Sequence, residues 1–260
     1  MLNELVNGAD LLFLIAVRIL AIIETAPLLS GEGVPQAAKV TLAGFAAAAI
    51  FPWMKDAGFV PPDTAGAYAA AVVGEAMIGV IIGFFLSVVF AAFITAGQFF
   101  SLQMGFGASE TYDPLAQSEI PIIGQFLNLI AMYIFLSVSG FQKIFLIGVR
   151  QSFISFRAAD FFVNREDWLA YVSGALGAMF ADALVLSFPI FGTLLLVSVT
   201  MGLLSKAAPQ MNLLTEGFPL AIITAFVVMA TAMPFMVEAF AGLVETGFQT
   251  LAMLMSGGGS

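Results

Sequence analysis

Neither cysteine nor histidine occurs anywhere in this chain of 260 residues. That excludes disulfides, thiolate nucleophiles and imidazole bases, and nearly all zinc and haem sites. It leaves the redox compartment open, because a chain without cysteine carries no record of it. Charge is scarce too. Asp, Glu, Lys and Arg make up 10% of the residues, against roughly 25% in a typical soluble domain. Eight basic residues stand against seventeen acidic ones for a net charge of −9, and the basic ones form no stripe. Nucleic acid, which binds through neutralised phosphates, is therefore excluded as a partner. No glycine loop followed by Lys-Ser or Lys-Thr is present to cradle a nucleotide. No polar stretch is long enough to form a separate soluble domain.

What fills the chain instead is apolar. Hydrophobic residues make up 61% of it, and the mean hydropathy is +1.04. A water-soluble fold of this length cannot hide so much apolar surface, so lipid must serve as solvent for much of it. The expectation is an all-α integral membrane protein. Apolar segments run over Leu11–Leu29, Ala37–Trp53, Ala65–Met104, Pro121–Val138, Ile144–Phe156, Trp168–Leu204 and Leu213–Leu254. They amount to about six hydrophobic helical spans at about 20 residues per crossing. Residues 1–255 read as one membrane-embedded domain and 256–260, Ser-Gly-Gly-Gly-Ser, as a flexible tail.

These spans are badly shaped for a simple bundle. Ala65–Met104 is long enough for one overlong helix or a bent pair. Pro189 is expected to kink or divide one segment, and Pro219 and Pro234 to break the last. Broken helices at membrane depth survive only where protein buries them or where they line a cavity, which points to a multi-subunit channel or a transporter. The first ten residues contain no Lys or Arg, so the first span reads as retained rather than cleaved. Lys143, Arg150, Arg157 and Arg165 lean their segment towards the cytoplasm, and the acidic stretch Gly105–Ile120 leans outwards.

Three sets of residues could carry function. Gly74, Gly79 and Gly83 recur along one apolar run, and small residues at such spacing let helices approach closely in lipid. Arg18, Glu24, Glu75 and Asp182 lie inside apolar segments, as do Glu238 and Glu245. Such charges are costly and are either functional or paired. A proton relay and simple pairing are both open. The second set is a loop. Gly105 and Gly107 free the backbone after a long helix, and Asp113-Pro114 signals a turn. Phe106, Tyr112, Leu115 and Ile120 stand among polar residues such as Glu110. Apolar side chains on glycine hinges suit a movable plug as well as a plain loop. In the third set Lys206 ends one helix, Pro209 stops it, and Asn212 can cap the next.

Pro209, Gln210, Met211 and Asn212, followed by Gly217, Phe218 and Pro219, resemble the signature of the FliR/SctT family of type III secretion export-gate subunits. Gln98, the Gln103–Phe106 run, Asp113-Pro114, Gly124–Leu129, Phe135-Leu136, Gly140, Arg18, Pro27 and Val34-Pro35 follow that pattern in order, over essentially residues 1–254. The chain departs from it at Phe141, where histidine is common, and at Lys206, where arginine is expected.

The resemblance implies helical hairpins in a hetero-oligomeric channel of the bacterial inner membrane, at the flagellar basal body. FliP-like and FliQ-like subunits would coassemble with it, an FlhB-like subunit would associate, and unfolded flagellar proteins would be the substrates. Residues 105–121 would be the plug of the resting pore. No cofactor and no metal is implied, and no enzymatic activity. A stand-alone proton- or ion-coupled transporter using Glu75 and Asp182 is the alternative. An intramembrane protease lacks histidine ligands, and Ser87 and Ser187 stand isolated.

Overall fold

An unpaired peptide group in hydrocarbon costs several kcal/mol, so apolar runs of this length close their hydrogen bonds within themselves. The structure, a computed structural model, describes residues 8–27, 29–31, 33–104, 122–155, 165–208 and 217–255, and among them it holds helices and no strand. Helix α1 is Ala9–Thr25, α2 Gln36–Asp56, α3 Ala65–Gln103 and α4 Ile122–Ser137. A short α5, Gly140–Lys143, continues through a π-helical stretch, Ile144–Gln151, into α6, Ser152–Ser155. Helices α7, Arg165–Ala207, and α8, Phe218–Met255, complete the order.

The six spans read from the sequence resolve into three kinds. Among the described residues, four helices are long and apolar enough to cross a membrane: α2, α3, and the greater parts of α7 and α8. Helix α4 and the run from Gly140 to Gln151 form one bent pair. Helix α1, with 17 residues, is about one turn short of a crossing.

Pro189, expected to kink or divide its segment, does not divide it, and Pro234 and Pro219, expected to break the last one, do not break α8. Pro189 lies inside α7 and Pro234 inside α8, while Pro219 sits in the first turn of α8. At a first turn the missing N–H has no partner to lose. Deeper in a helix, a proline forfeits one rung of the ladder. In an apolar setting that is cheaper than opening two new helix ends, each with four orphan groups.

Packing divides the chain into two compact units. One comprises residues 1–88, 139–175 and 244–260, the other 89–138 and 176–243. In the first, α1 and α2 form an antiparallel hairpin. Lys39 near the start of α2 reaches Glu24 near the end of α1 at 3.1 Å, and also the Ser30 carbonyl in the turn at 3.1 Å. Helix α1 then lies parallel to the first half of α3. Tyr68 Oη donates to the Asp10 carbonyl at 3.0 Å, and Ser87 Oγ to the Thr25 carbonyl at 2.7 Å, so both helices run the same way.

In the second unit, α4 runs back along the second half of α3. A Cβ built on Gly97 would lie 3.0 Å from Gly124 Cα, so two glycines meet where the backbones are closest. One turn and more away, Phe90 stacks obliquely on Phe135 at 5.4 Å between ring centroids, and Phe240 of α8 meets Phe90 edge-on at 5.7 Å. Phe93 completes the cluster at 4.7 Å from Phe240. Such ring pairs add about 0.5–1.5 kcal/mol each beyond their buried area.

The bend between α4 and α5 turns on Ser139, at φ 58 and ψ 36, the only non-glycine residue with positive φ among the described residues. A left-handed L-residue costs roughly 1–2 kcal/mol. Ser139→Gly is therefore expected to raise the thermal midpoint of the detergent-solubilised chain, and Ser139→Val to lower it. Equal midpoints for all three would contradict a left-handed turn here.

Candidate functional site

Arg18, midway along α1, is fully buried, and so is Glu75, almost three turns into α3. Arg18 Nε donates to Glu75 Oε2. Its Nη1 donates to Ser152 Oγ at 3.0 Å, and its guanidinium carbon lies 3.8 Å from the centre of the Phe153 ring. Ser152 Oγ in turn donates a hydrogen bond to the Val149 carbonyl at 2.8 Å. Three segments far apart in sequence thus converge on one guanidinium. Each charge would be prohibitively costly alone, and the pair is tolerable because hydrogen bonds and a ring face replace the lost water. Glu75 Oε1 has no hydrogen-bond partner among the described residues.

The glycines explain how the helices come close enough. A Cβ on Gly79 would collide with the Arg18 carbonyl oxygen and lie 2.7 Å from Ala21 Cβ. One on Gly83 would run into the Thr25 side chain and sit 3.0 Å from the Ile22 carbonyl oxygen. Gly79, Gly83 and Ser87 on α3 therefore face Ala21 and Thr25 on α1, two rows of small residues at four-residue spacing. Gly74 is buried on the same helix. The π-helical stretch closes the third side, with Gly148 placing its backbone against Ile82, 3.2 Å from a Cβ built there. Its wider turn carries Ser152 and Phe153 onto Arg18; π-helical turns recur at such sites.

The other charges within apolar segments fare differently. Glu24 is paired with Lys39, and Glu245 of α8 with Lys143. Arg150 lies over the Trp53 ring at 5.5 Å. Asp182 is half-buried in the second unit, with no ion-pair partner among the described residues. Lys206 is exposed in the last turn of α7, Gly217 is half-buried before α8, and Pro219 is exposed. Gly105, Phe106, Gly107, Glu110, Tyr112, Asp113 and Pro114 lie outside the described residues, as do Pro209, Gln210, Met211 and Asn212.

Lys39, Ser152 and Phe153 are the participants that sequence reading missed. For Ser152 there was a usable signal: Gly148 precedes it by four residues, the same small-residue spacing as Gly79 and Gly83. Chemically the cluster is a tie. It holds no nucleophile beside a base, and the described residues contain no group of three or more His, Cys, Asp or Glu that could hold a metal ion.

The sequence model of the family described as bacterial export proteins, family 1, matches residues 9–247. The flagellar biosynthetic protein FliR of Escherichia coli is 31% identical over 254 residues, covering 98% of this chain and 96% of that protein. FliR of Bacillus subtilis is 26% identical over 257 residues, 98% of each. FliR of Borreliella burgdorferi is 29% identical over 197 residues, 75% of this chain and 73% of its own.

Proposed function

Since the chain belongs to the bacterial export protein family that includes flagellar FliR, and is thus a membrane-embedded component of the flagellar export apparatus, we propose that it is a channel-forming, non-enzymatic subunit of the export gate. It coassembles with FliP-like and FliQ-like membrane subunits, with an FlhB-like subunit associated. The assembly passes unfolded flagellar proteins across the inner membrane at the basal body. Residues 105–121 close the resting pore.

The observation that carries coassembly is the length of an apolar outer face. Along α7, Leu176, Phe180, Leu184, Val185, Phe188, Leu195, Leu196, Val199, Leu203 and Leu204 are all exposed, Phe188 by 70%. From Leu176 to Leu204 that face extends about 42 Å at 1.5 Å per residue. The hydrocarbon core is about 30 Å thick, and even a helix tilted by about 40° meets only about 39 Å of it. In the coassembled gate, other protein chains cover the remainder. Helices of 39, 43 and 38 residues, α3, α7 and α8, are likewise nearly twice the length of a crossing.

A stand-alone coupled transporter gains nothing from the site, because Glu75 is already occupied by Arg18. Two experiments test the reading. The tagged chain is expected to bring down FliP-like and FliQ-like subunits as one detergent-stable complex. Deleting residues 109–118 is expected to leave that complex intact while raising membrane conductance to small ions. Conductance unchanged by the deletion would remove the plug; solute uptake by the purified single chain in vesicles would replace the channel reading altogether.

A further inference from the structure

We propose that Asp182 anchors a partner membrane subunit by receiving a Lys or Arg side chain from it, within the membrane-spanning part of α7. The inference rests on the coassembly reading and names the chemistry of one contact in it.

The unit made of residues 89–138 and 176–243 contains Glu110, Asp113, Glu119, Asp182, Glu216 and Glu238, and a single basic residue, Lys206. Lys206 lies 24 positions along the same helix from Asp182, about 36 Å away at 1.5 Å per residue, far beyond side-chain reach. Elsewhere, Arg18, Lys39 and Lys143 are taken by Glu75, Glu24 and Glu245. Asp182 has no cation among the described residues.

Position decides what meets it. Asp182 is half-buried, with buried Met179, Ala183 and Leu186 to one side and exposed Ala178, Val185 and Leu196 to the other. It therefore stands at the rim where the packed side of α7 turns outwards. The exposed side beside it is apolar, and Val185 is 61% exposed. A water-filled conduit would not be lined that way, and lipid offers a carboxylate no partner. A membrane helix presenting an apolar face with one embedded cation satisfies both observations. Glu238 differs in burial, since it is exposed on α8 whereas Asp182 is half-buried.

The test uses the full chain expressed with its flagellar partners. Asp182→Asn and Asp182→Lys are expected to lower the recovery of partner subunits by about tenfold or more, and Asp182→Glu to retain it; losing one member of a desolvated charge pair typically has effects of this size or larger. Should Asp182→Lys not accumulate, the near-isosteric Asp182→Asn still decides the matter. In parallel, a photo-crosslinking phenylalanine analogue replaces Val185, or Leu184, which lies about 160° from Asp182 around the helix at 100° per residue. Adducts from position 185 should contain a membrane-spanning peptide of another subunit that carries Lys or Arg, and adducts from 184 should not. Undiminished recovery with Asp182→Asn, or lipid as the sole adduct at 185, overturns the anchor. If the unaltered chain brings down no partner at all, the coassembly reading itself fails, and the anchor with it.

Discussion

Replacing Glu75 with alanine is expected to be among the most damaging single changes this chain can suffer, removing about 3–5 kcal/mol of stability. The loss does not measure what the ion pair contributes. It measures what Arg18 costs when left charged, fully buried and without its carboxylate. Ser152 and the Phe153 ring would remain, but neither carries a countercharge. Removing both charges should therefore hurt far less than removing one. The double variant Arg18→Met, Glu75→Leu is expected to recover most of the lost stability, since a well-packed apolar pair often matches a buried ion pair. Thermal unfolding in detergent and resistance to trypsin would read both variants. A Glu75→Ala protein that unfolds at the parent temperature would show that the two groups do not depend on each other.

Gly79→Val should follow closely. The first added carbon would overlap the Arg18 carbonyl oxygen and press Ala21, and backbone cannot swing aside as a flexible side chain can. Overpacking costs typically about 1–3 kcal/mol. Here the displaced backbone also belongs to the residue whose side chain is held by Glu75, so strain and loss of the ion pair would compound. Gly177→Ala in α7 is the matching control. Nothing lies within 4 Å of a Cβ there, and alanine replaces glycine in a helix with a gain of roughly 0.5–1 kcal/mol. Expression and thermal midpoint should move in opposite directions for the two variants. A Gly79→Val chain as stable as its parent would contradict the close approach of α1 and α3.

Both effects depend on a packing arrangement that was half legible in advance. Glycines 79 and 83 at four-residue spacing marked a helix face built for contact. The complementary row, Ala21 and Thr25, was equally visible as small residues four apart, but nothing local said that the two rows belong together. The same holds for charge. Arg18, Glu24, Glu75 and Asp182 could be picked out individually, because a charge inside an apolar run stands out from its neighbours. That Arg18 would choose Glu75, 57 positions away, and Glu24 would choose Lys39, 15 away, depends on helices meeting in space. Proline shows the opposite failure. Pro234 was expected to break its helix and Pro189 to kink or divide its own, by a rule calibrated where water stands ready to satisfy freed peptide groups. In an apolar setting the helix continues through them, because ending it would orphan many groups instead of one.

Composition and segment length settled, without coordinates, that this chain lives in lipid and is helical, and motif order pointed to its family. Those properties follow from energies summed residue by residue or turn by turn, which any stretch of chain reveals by itself. Only the tertiary structure decided that α1 runs parallel to α3 with its small residues in register, and that a π-helical turn brings Ser152 and Phe153 to Arg18. It also left Asp182 without a mate among the described residues. Such pairings are fixed by shape and charge between segments remote in sequence, where each local pattern admits many partners and few sets pack without collision while giving a buried Arg18 its carboxylate.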